Sequence, residues 1–432
     1  MAIRNVITTD RTTSSLAPAV ASLLGNNDIR ITAHDGSAAG SACPYGLHLA
    51  TDRAVTYLVT APGELGMARA YVAGDLEATG VHPADPYPLL ARLTTDLEFH
   101  VPSPLSCARA LRSIGLRNLR PVSPPDQEAH PRWRRVAAGL RHSRSRDARS
   151  IEQHYDVSNA FYHHVLGPSM TYTCAVYPSP DTSLEDAQDN KHRLVFDKLG
   201  LSSGDSLLDI GCGWGGMISY AARHGVRAIG VTLSREQAQW AQEAIAAEGL
   251  ADLAEVRLCD YRDVPDAGFD AVSSIGMSEH VGVRNYNSYF AFLRDKLRPG
   301  GKLLNHSITR PDNTSRHRAG PFIDRYVFPD GELTGSGRII ASMQDTGLEV
   351  RHAENLREHY AMTLRDWCAN LAANWDDAVA EAGEATARVW GLYMAGSRLG
   401  FERNAIQIHQ VLAVRPDDSG SAAIPLRQWW SA

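Results

Sequence analysis

The run Leu207-Leu208-Asp209-Ile210-Gly211-Cys212-Gly213-Trp214-Gly215-Gly216 constrains this chain more than any other stretch. An apolar strand passes through an acid and breaks into glycines at alternate positions. Such a turn, set between a strand and a helix, lets a nucleotide approach the backbone closely at the helix N-terminus. The flanking text supplies both elements: Ser206–Ile210 reads as a strand and Gly216–His224 as a helix. The alternation continues. Arg227–Thr232 is a strand, Arg235–Glu248 a helix, Phe269–Ile275 a strand, Tyr286–Leu297 a helix and Gly301–His306 a strand. This pattern predicts an α/β domain of Rossmann-like type, a mostly parallel twisted sheet with helices on both faces.

A glycine turn alone does not name its ligand, since nicotinamide enzymes use a similar one. Here the spacing is GxGxGG, and Asp209 lies within the strand, where it can orient the turn. The second strand ends in Val231-Thr232-Leu233-Ser234, with Gln237 close behind. Nicotinamide folds place an acid there for the ribose hydroxyls, and its absence counts against them. Cys259-Asp260-Tyr261-Arg262-Asp263 follows the next strand, suited to flanking an adenine by stacking and polar contact. Leu297-Arg298-Pro299-Gly300-Gly301-Lys302-Leu303 is a turn into a strand of the kind methyltransferase domains carry. Together these features point to S-adenosylmethionine. The plain alternative is a tight turn with no ligand.

With 432 residues the chain has room for two or three domains. Its 44% apolar and 21% charged residues are an ordinary globular make-up. We expect an N-terminal domain over 1–130, lipid- or dimer-related, and an Arg-rich linker over 131–150. The methyltransferase domain is expected over 151–416, with a lid insert at about 310–345 and a loose tail over 417–432. Within the first domain Ala54–Val59 reads as a strand. The net charge of −6 argues against a general nucleic-acid binder. The linker is locally basic: Arg132, Arg134, Arg135, Arg141, Arg144, Arg146 and Arg149 face only Asp147. It reads as a solvated connection. Its functional alternative is contact with anionic lipid head groups, with Trp133 as an interfacial anchor. The six cysteines form no CxxC pair, so neither a metal site nor a disulfide framework is indicated. No apolar run approaches the ~18 residues of a membrane span, and the first residues lack an apolar signal core. The expectation is a cytoplasmic protein, peripherally associated with the inner face of the membrane.

Further runs occur in a telling order: Gln153-His154-Tyr155-Asp156-Val157-Ser158-Asn159, Thr171-Tyr172-Thr173-Cys174-Ala175, Thr232-Leu233-Ser234, Gly276-Met277-Ser278-Glu279-His280-Val281-Gly282 and Phe401-Glu402-Arg403-Asn404. With the glycine turn, they make residues from about 152 to 414 resemble the cyclopropane-fatty-acid synthases. The N-terminal segment looks like the extra domain of the phospholipid-acting members. The resemblance implies methyl transfer from S-adenosylmethionine to the cis double bond of an unsaturated acyl chain in membrane phospholipid, with a bicarbonate ion beside the sulfonium. Carried over by motif, the bicarbonate ligands are Cys174, Glu279, His306, Ile308 and Tyr360. The cofactor contacts are Tyr172, Thr173, Gly211, Gly213, Thr232, Leu233, Gln237, Tyr261, Arg262 and Gly276, joined by Asp209 and Gly215 of the turn. One departure is Ser278, where bacterial cyclopropane enzymes usually carry Phe. The runs Ser273–His280 and Leu304–Asn313 look more like an actinobacterial branch that makes 10-methylene acids of the tuberculostearic type. A reductase partner would act on that product, and a homodimer is expected.

The implied chemistry makes demands on side chains. An alkene is a weak nucleophile, and its methylation leaves a carbocation that water would quench, so the site must be dry. Aromatic faces stabilise a cation by roughly 0.5–2 kcal/mol each. Tyr155, Phe161, Tyr162, Tyr286, Phe322, Tyr326 and Trp367 are the candidate acyl-chain contacts. A base must then take a proton from the new methyl group, and Glu279 and His306 would orient a bicarbonate to do so. Ring closure gives a cyclopropane. A hydride shift before the same proton loss gives a methylene. Plain readings stand beside these: each ring as core packing, His306 as a satisfied core histidine, Glu279 and His280 as a strand-end polar network, Cys174 as an inert buried thiol. As whole-protein alternatives, nicotinamide-dependent oxidation lacks its acid, and a non-enzymatic lipid-binding protein would retain the pocket without turnover.

Overall fold

The computed structural model describes residues 15–25, 28–94, 103–105, 108, 122–129, 157–314, 319–329, 331–422 and 424–430. Tyr155 and the Arg-rich stretch lie outside them. Two compact units divide the chain: residues 1–82 with 88–125, and residues 83–87 with 126–432.

In the first unit, α1 (Leu16–Leu24), β1 (Arg30–Ala33), β2 (Ala38–Ala39), β3 (Gly46–Leu49), α2 (Asp52–Thr60), α3 (Glu64–Val72) and β4 (Leu76–Thr79) precede α4 (Tyr87–Leu93). The strands form a sheet in the order β2-β1-β3-β4. Val20, Ile29, Ile31, Leu49 and Tyr57 form its core. Ala54–Val59, read as a strand, is helical. Five consecutive buried residues, Ala54 to Leu58, hide any period, and the β-branched Val55, Thr56 and Val59 bias the reading. The helix is decided by its start: the Thr51 hydroxyl accepts from the Arg53 amide, and Asp52 occupies the first turn.

The second unit contains α5 (Asn159–Leu166), α6 (Leu184–Leu199), β5 (Ser206–Ile210), α7 (Gly216–Arg223), β6 (Arg227–Thr232), α8 (Arg235–Ala247), β7 (Ala254–Leu258), β8 (Phe269–Ile275), α9 (Ser278–Val281), α10 (Tyr286–Lys296) and β9 (Leu297–Thr309). A single π turn (Ile323–Val327), α11 (Ser336–Asp345), β10 (Glu349–Asn355), α12 (Arg357–Ala373), α13 (Trp375–Ala382), α14 (Glu384–Glu402) and β11 (Gln407–Val414) complete it. The seven-stranded sheet runs β10-β11-β9-β8-β5-β6-β7. Strands β7, β6, β5, β8 and β9 are parallel, and β11 enters antiparallel between β9 and β10. Chain order reverses at β5, so the crevice beyond the carboxyl ends of β5 and β8 is the switch point where such sheets bind ligands.

Two expectations need correction. The segment 310–345 is not a lid throughout: α11 buries Ile339 and Met343 in the same core as Phe290 and Val411. The tail over 417–432 is anchored at Trp429 and Trp430. Trp430 joins the core beside Leu199 and Leu207, and the Trp429 indole donates to the Asp197 carbonyl at 2.9 Å. Two large rings offer more burial than the Asp/Ser/Gly-rich residues before them suggest.

Candidate active site

The glycine turn stands at the switch point. Gly211, Gly213 and Gly215 all have positive φ, at 76°, 53° and 85°. The amides of Gly211 and Cys212 donate to the Val231 carbonyl, both at 3.0 Å, pinning the turn to β6. A Cβ on Gly211 would lie 2.5 Å from Met277, whereas one on Gly213 would meet nothing within 4 Å. The Gly213 side of the turn is therefore open to a ligand, and its Gly211 side is packed.

The other expected cofactor residues stand at or just past the carboxyl ends of the neighbouring strands. Thr232, at the end of β6, donates to Gln237 Oε1 at 2.8 Å, and both are buried; Leu233 beside them is half-buried. Past β7, Tyr261 packs edge-on against Tyr289 and Phe292, and Arg262 pairs with Asp260 while lying 5.2 Å from the Tyr261 ring centre. Gly276 closes β8 with φ 72°, and a Cβ there would touch Thr173 at 3.4 Å. Thr173 and Tyr172 thus border the same crevice. Asp209 is held within the sheet. Only 2% exposed, it accepts from the Ser273 hydroxyl at 2.6 Å, bracing β5 against β8 beneath the turn. Burial pushes its carboxyl up to about 6, against the Ser273 bond and the nearby Lys191.

A second group lies on β9 and α9. The Gly276 amide donates to the His306 carbonyl at 2.8 Å, tying the ends of β8 and β9. Glu279 Oε1 accepts from the Ile308 amide at 2.6 Å. Ile308 thus contributes its backbone, and that amide already has a partner. Burial pushes the Glu279 carboxyl up to about 7, which the Ile308 amide partly offsets. Burial also holds His306 down at about 3, reinforced by Lys191, Lys198 and His409, so the ring is neutral at physiological pH. Glu279 Oε2 and His306 Nε2 are both buried and have no hydrogen-bond partner among the described residues. Orphaned groups of this kind cost about 1–3 kcal/mol each and call for a ligand or water.

Cys174 is fully buried, its thiol directed at the carbonyls of Ala175 and Leu356, and burial raises its ionisation well above the ordinary thiol range. It is no nucleophile. Tyr360 stacks on Phe401 and meets Trp367 edge-on, with centroids at 4.6 and 6.0 Å. Trp367 in turn faces Tyr172 at 5.4 Å, which faces Tyr162 and Trp390 at 5.9 and 5.4 Å. Phe161 also meets Trp390, at 5.5 Å. The expected Phe161, Tyr162 and Trp367 therefore share one aromatic cluster with the cofactor-side Tyr172. Tyr286 does not join it: it packs on Phe290 in the core under α10. Phe322 and Tyr326 pair with each other on the π turn, where the Tyr326 hydroxyl reaches Glu128 at 3.1 Å. An aromatic residue in sequence does not say which face of its helix meets the core, so the pattern alone could not group these rings.

Sequence reasoning missed four contributors. Trp214 and Trp390 wall the cluster, at 4.7 and 5.3 Å from Tyr162. Trp390 sits three residues before Tyr393 on α14, a same-face spacing that was available as a signal. Lys191, fully buried on α6, lies 2.8 Å from His192, and burial depresses its ammonium to about 7. Gln410 contacts His306 across 104 residues of chain, which no local pattern signals.

The sheet order, the glycine turn at its switch point and the buried aromatic surround define the class, an S-adenosylmethionine-dependent methyltransferase. The mycolic acid cyclopropane synthetase family matches residues 142–411, and the chain belongs to that family. A probable fatty acid methyltransferase of Mycobacterium tuberculosis is 63% identical over 407 residues, covering 94% of this chain and 95% of its own. The tuberculostearic acid methyltransferase UfaA1 of the same organism is 35% identical, covering 90% and 88%. Among solved structures, the mycolic acid cyclopropane synthase CmaA1, complexed with S-adenosylhomocysteine and CTAB, superposes with TM-score 0.58 at 32% identity, covering 62% of this chain and 97% of that one. The chain is thus a methyltransferase that acts on lipid acyl chains. No helix among the described residues is long and apolar enough to cross a membrane.

Proposed function

We propose that this enzyme methylates the cis double bond of an unsaturated acyl chain in a membrane phospholipid and releases a 10-methylene fatty acyl product. The observation that carries the reading is the pair of orphaned polar atoms, Glu279 Oε2 and His306 Nε2, both buried on neighbouring elements, α9 and β9. A neutral imidazole and a carboxylate offer one donor and one acceptor, which fits a bicarbonate ion.

The open side of Gly213 would receive S-adenosylmethionine, which when bound would supply an electrophilic methyl group, and Glu279 and His306 would hold a bicarbonate ion that would supply a proton acceptor. The protein does the rest. The aromatic cluster of Phe161, Tyr162, Tyr172, Trp214, Trp367 and Trp390 excludes water from the cation and offers ring faces to its charge. Tyr360 closes the wall beyond Trp367. The Ile308 amide fixes one oxygen of Glu279 so that the other is presented inward. The alkene π pair would form the bond to the methyl carbon as its bond to sulfur breaks, releasing S-adenosylhomocysteine and leaving the cation on the neighbouring alkene carbon. A hydride shift moves the charge to the methyl-bearing carbon, and loss of a methyl proton forms the methylene.

Similarity over most of the chain to a tuberculostearic acid methyltransferase supports the methylene outcome. Ring closure of the first cation to a cyclopropane is the alternative, in keeping with the family's name. We further propose peripheral attachment to anionic membrane through the basic stretch at 132–149, a homodimer, and a reductase that consumes the product. The decisive experiment expresses the protein in a host with oleoyl lipids and examines fatty acids by mass spectrometry before and after catalytic hydrogenation. A species heavier by one CH2 that takes up one H2 under mild conditions supports the methylene. A species of that mass that resists them supports the ring, and unchanged lipids refute the proposal.

A further inference from the structure

We infer that Lys198 and Gln410 are positioning residues that hold His306 in its Nε2–H tautomer, aiming a hydrogen-bond donor at the orphaned pocket. The inference deepens the anion-site reading above and rests on it for its catalytic meaning, but the geometry stands by itself.

Three strands place the participants in one row. Glu354 of β10 is the register partner of Gln410 on β11, Gln410 is the partner of His306 on β9, and His306 that of Ile275 on β8. Register partners present their side chains on the same face of a sheet. Lys198 descends from α6 onto this row, with its side chain wholly buried. Its Nζ donates to Gln410 Oε1 at 2.7 Å and pairs with Glu354. The Trp430 ring of the C-terminal segment stands 6.0 Å from the same ammonium.

An ammonium can only donate, so the atom of Gln410 that faces Lys198 must be the carbonyl oxygen. That removes the usual ambiguity of the amide and turns its NH2 toward His306, where Nε2 of Gln410 lies 3.1 Å from Nδ1. An amide NH2 can only donate as well, so Nδ1 must accept, and the single proton of the neutral ring resides on Nε2. Nε2 is the buried ring atom without a partner among the described residues. Polarity therefore passes in one direction, from ammonium to amide to imidazole.

Selective 15N-histidine labelling, with His306→Gln to assign the signal, reads the tautomer directly. The wild type is expected to show His306 protonated at Nε2 and bare at Nδ1. Gln410→Glu replaces the donor with an acceptor, so the proton should move to Nδ1. Turnover should fall about 100-fold, the scale of losing an oriented proton-transfer or charge-stabilising contact. S-adenosylhomocysteine affinity should be unchanged. Lys198→Met, which frees the amide to rotate, should give mixed tautomers. Wild-type His306 protonated at Nδ1, or a Gln410→Glu protein with the wild-type tautomer, would overturn the relay. Bicarbonate-independent turnover in the wild type would instead overturn the anion reading, and the spectra would still decide the relay.

Discussion

Replacing Glu279 by Gln should make the protein more stable above neutral pH while removing most of its turnover. The carboxyl is 9% exposed, and burial lifts it from 4.5 to about 7. In the unfolded chain it ionises near 4.5, whereas in the fold it stays protonated until about pH 7. The raised value therefore contributes stability that is fully present below pH 4.5 and lost as the pH rises through 7. The energetic equivalent is about 3 kcal/mol. Gln keeps the shape and an oxygen for the Ile308 amide but never bears the charge. Wild type and variant should thus melt together near pH 4. The variant should gain as the pH rises, reaching about 5 °C in Tm above pH 7.5 for a unit of this size. In the same protein, turnover should fall by 100-fold or more with S-adenosylhomocysteine binding intact. Calorimetric melts across pH 4–8 and a methyl-transfer assay measure both. A melting difference that does not change with pH would refute the buried-charge argument. Undiminished turnover would remove Glu279 from the base site.

Gly211→Ala and Gly213→Ala should separate packing from ligand contact. Both force an L-residue to positive φ, costing about 1–2 kcal/mol. Gly211→Ala adds a collision with Met277 and should melt lower, whereas Gly213→Ala should keep most stability and lose at least tenfold in S-adenosylhomocysteine affinity by calorimetry. The triple variant Arg141→Ala, Arg144→Ala, Arg146→Ala should bind anionic vesicles more weakly, and the deficit should shrink at high salt as exposed charges are screened. Equal binding by both proteins would reduce the stretch to a connection.

Much of the catalytic unit was legible because its signals are local. Glycine spacing and short apolar runs reported the strands Ser206–Ile210, Arg227–Thr232 and Phe269–Ile275 residue for residue. Buried helices were less legible. In Ala54–Val59 every residue but the last is buried, so there is no period to read. Aromatic residues were the least legible: Phe161 and Tyr286 look alike in sequence, yet one joins the cluster beside Trp390 and the other fills the core under α10.

By itself, the sequence determined the α/β fold, the nucleotide turn, its preference for S-adenosylmethionine over a nicotinamide, and the lipid-modifying family. Each of these is written in residues close together along the chain. Only the tertiary structure decided that Asp209 is buried and braced by the Ser273 hydroxyl, and that Cys174 is sealed. It alone left Glu279 Oε2 and His306 Nε2 without partners among the described residues. The reason is physical: burial and hydrogen-bond satisfaction are properties of contacts between distant segments. Gln410 meets His306, and Lys198 meets Gln410, only when β9, β11 and α6 pack together.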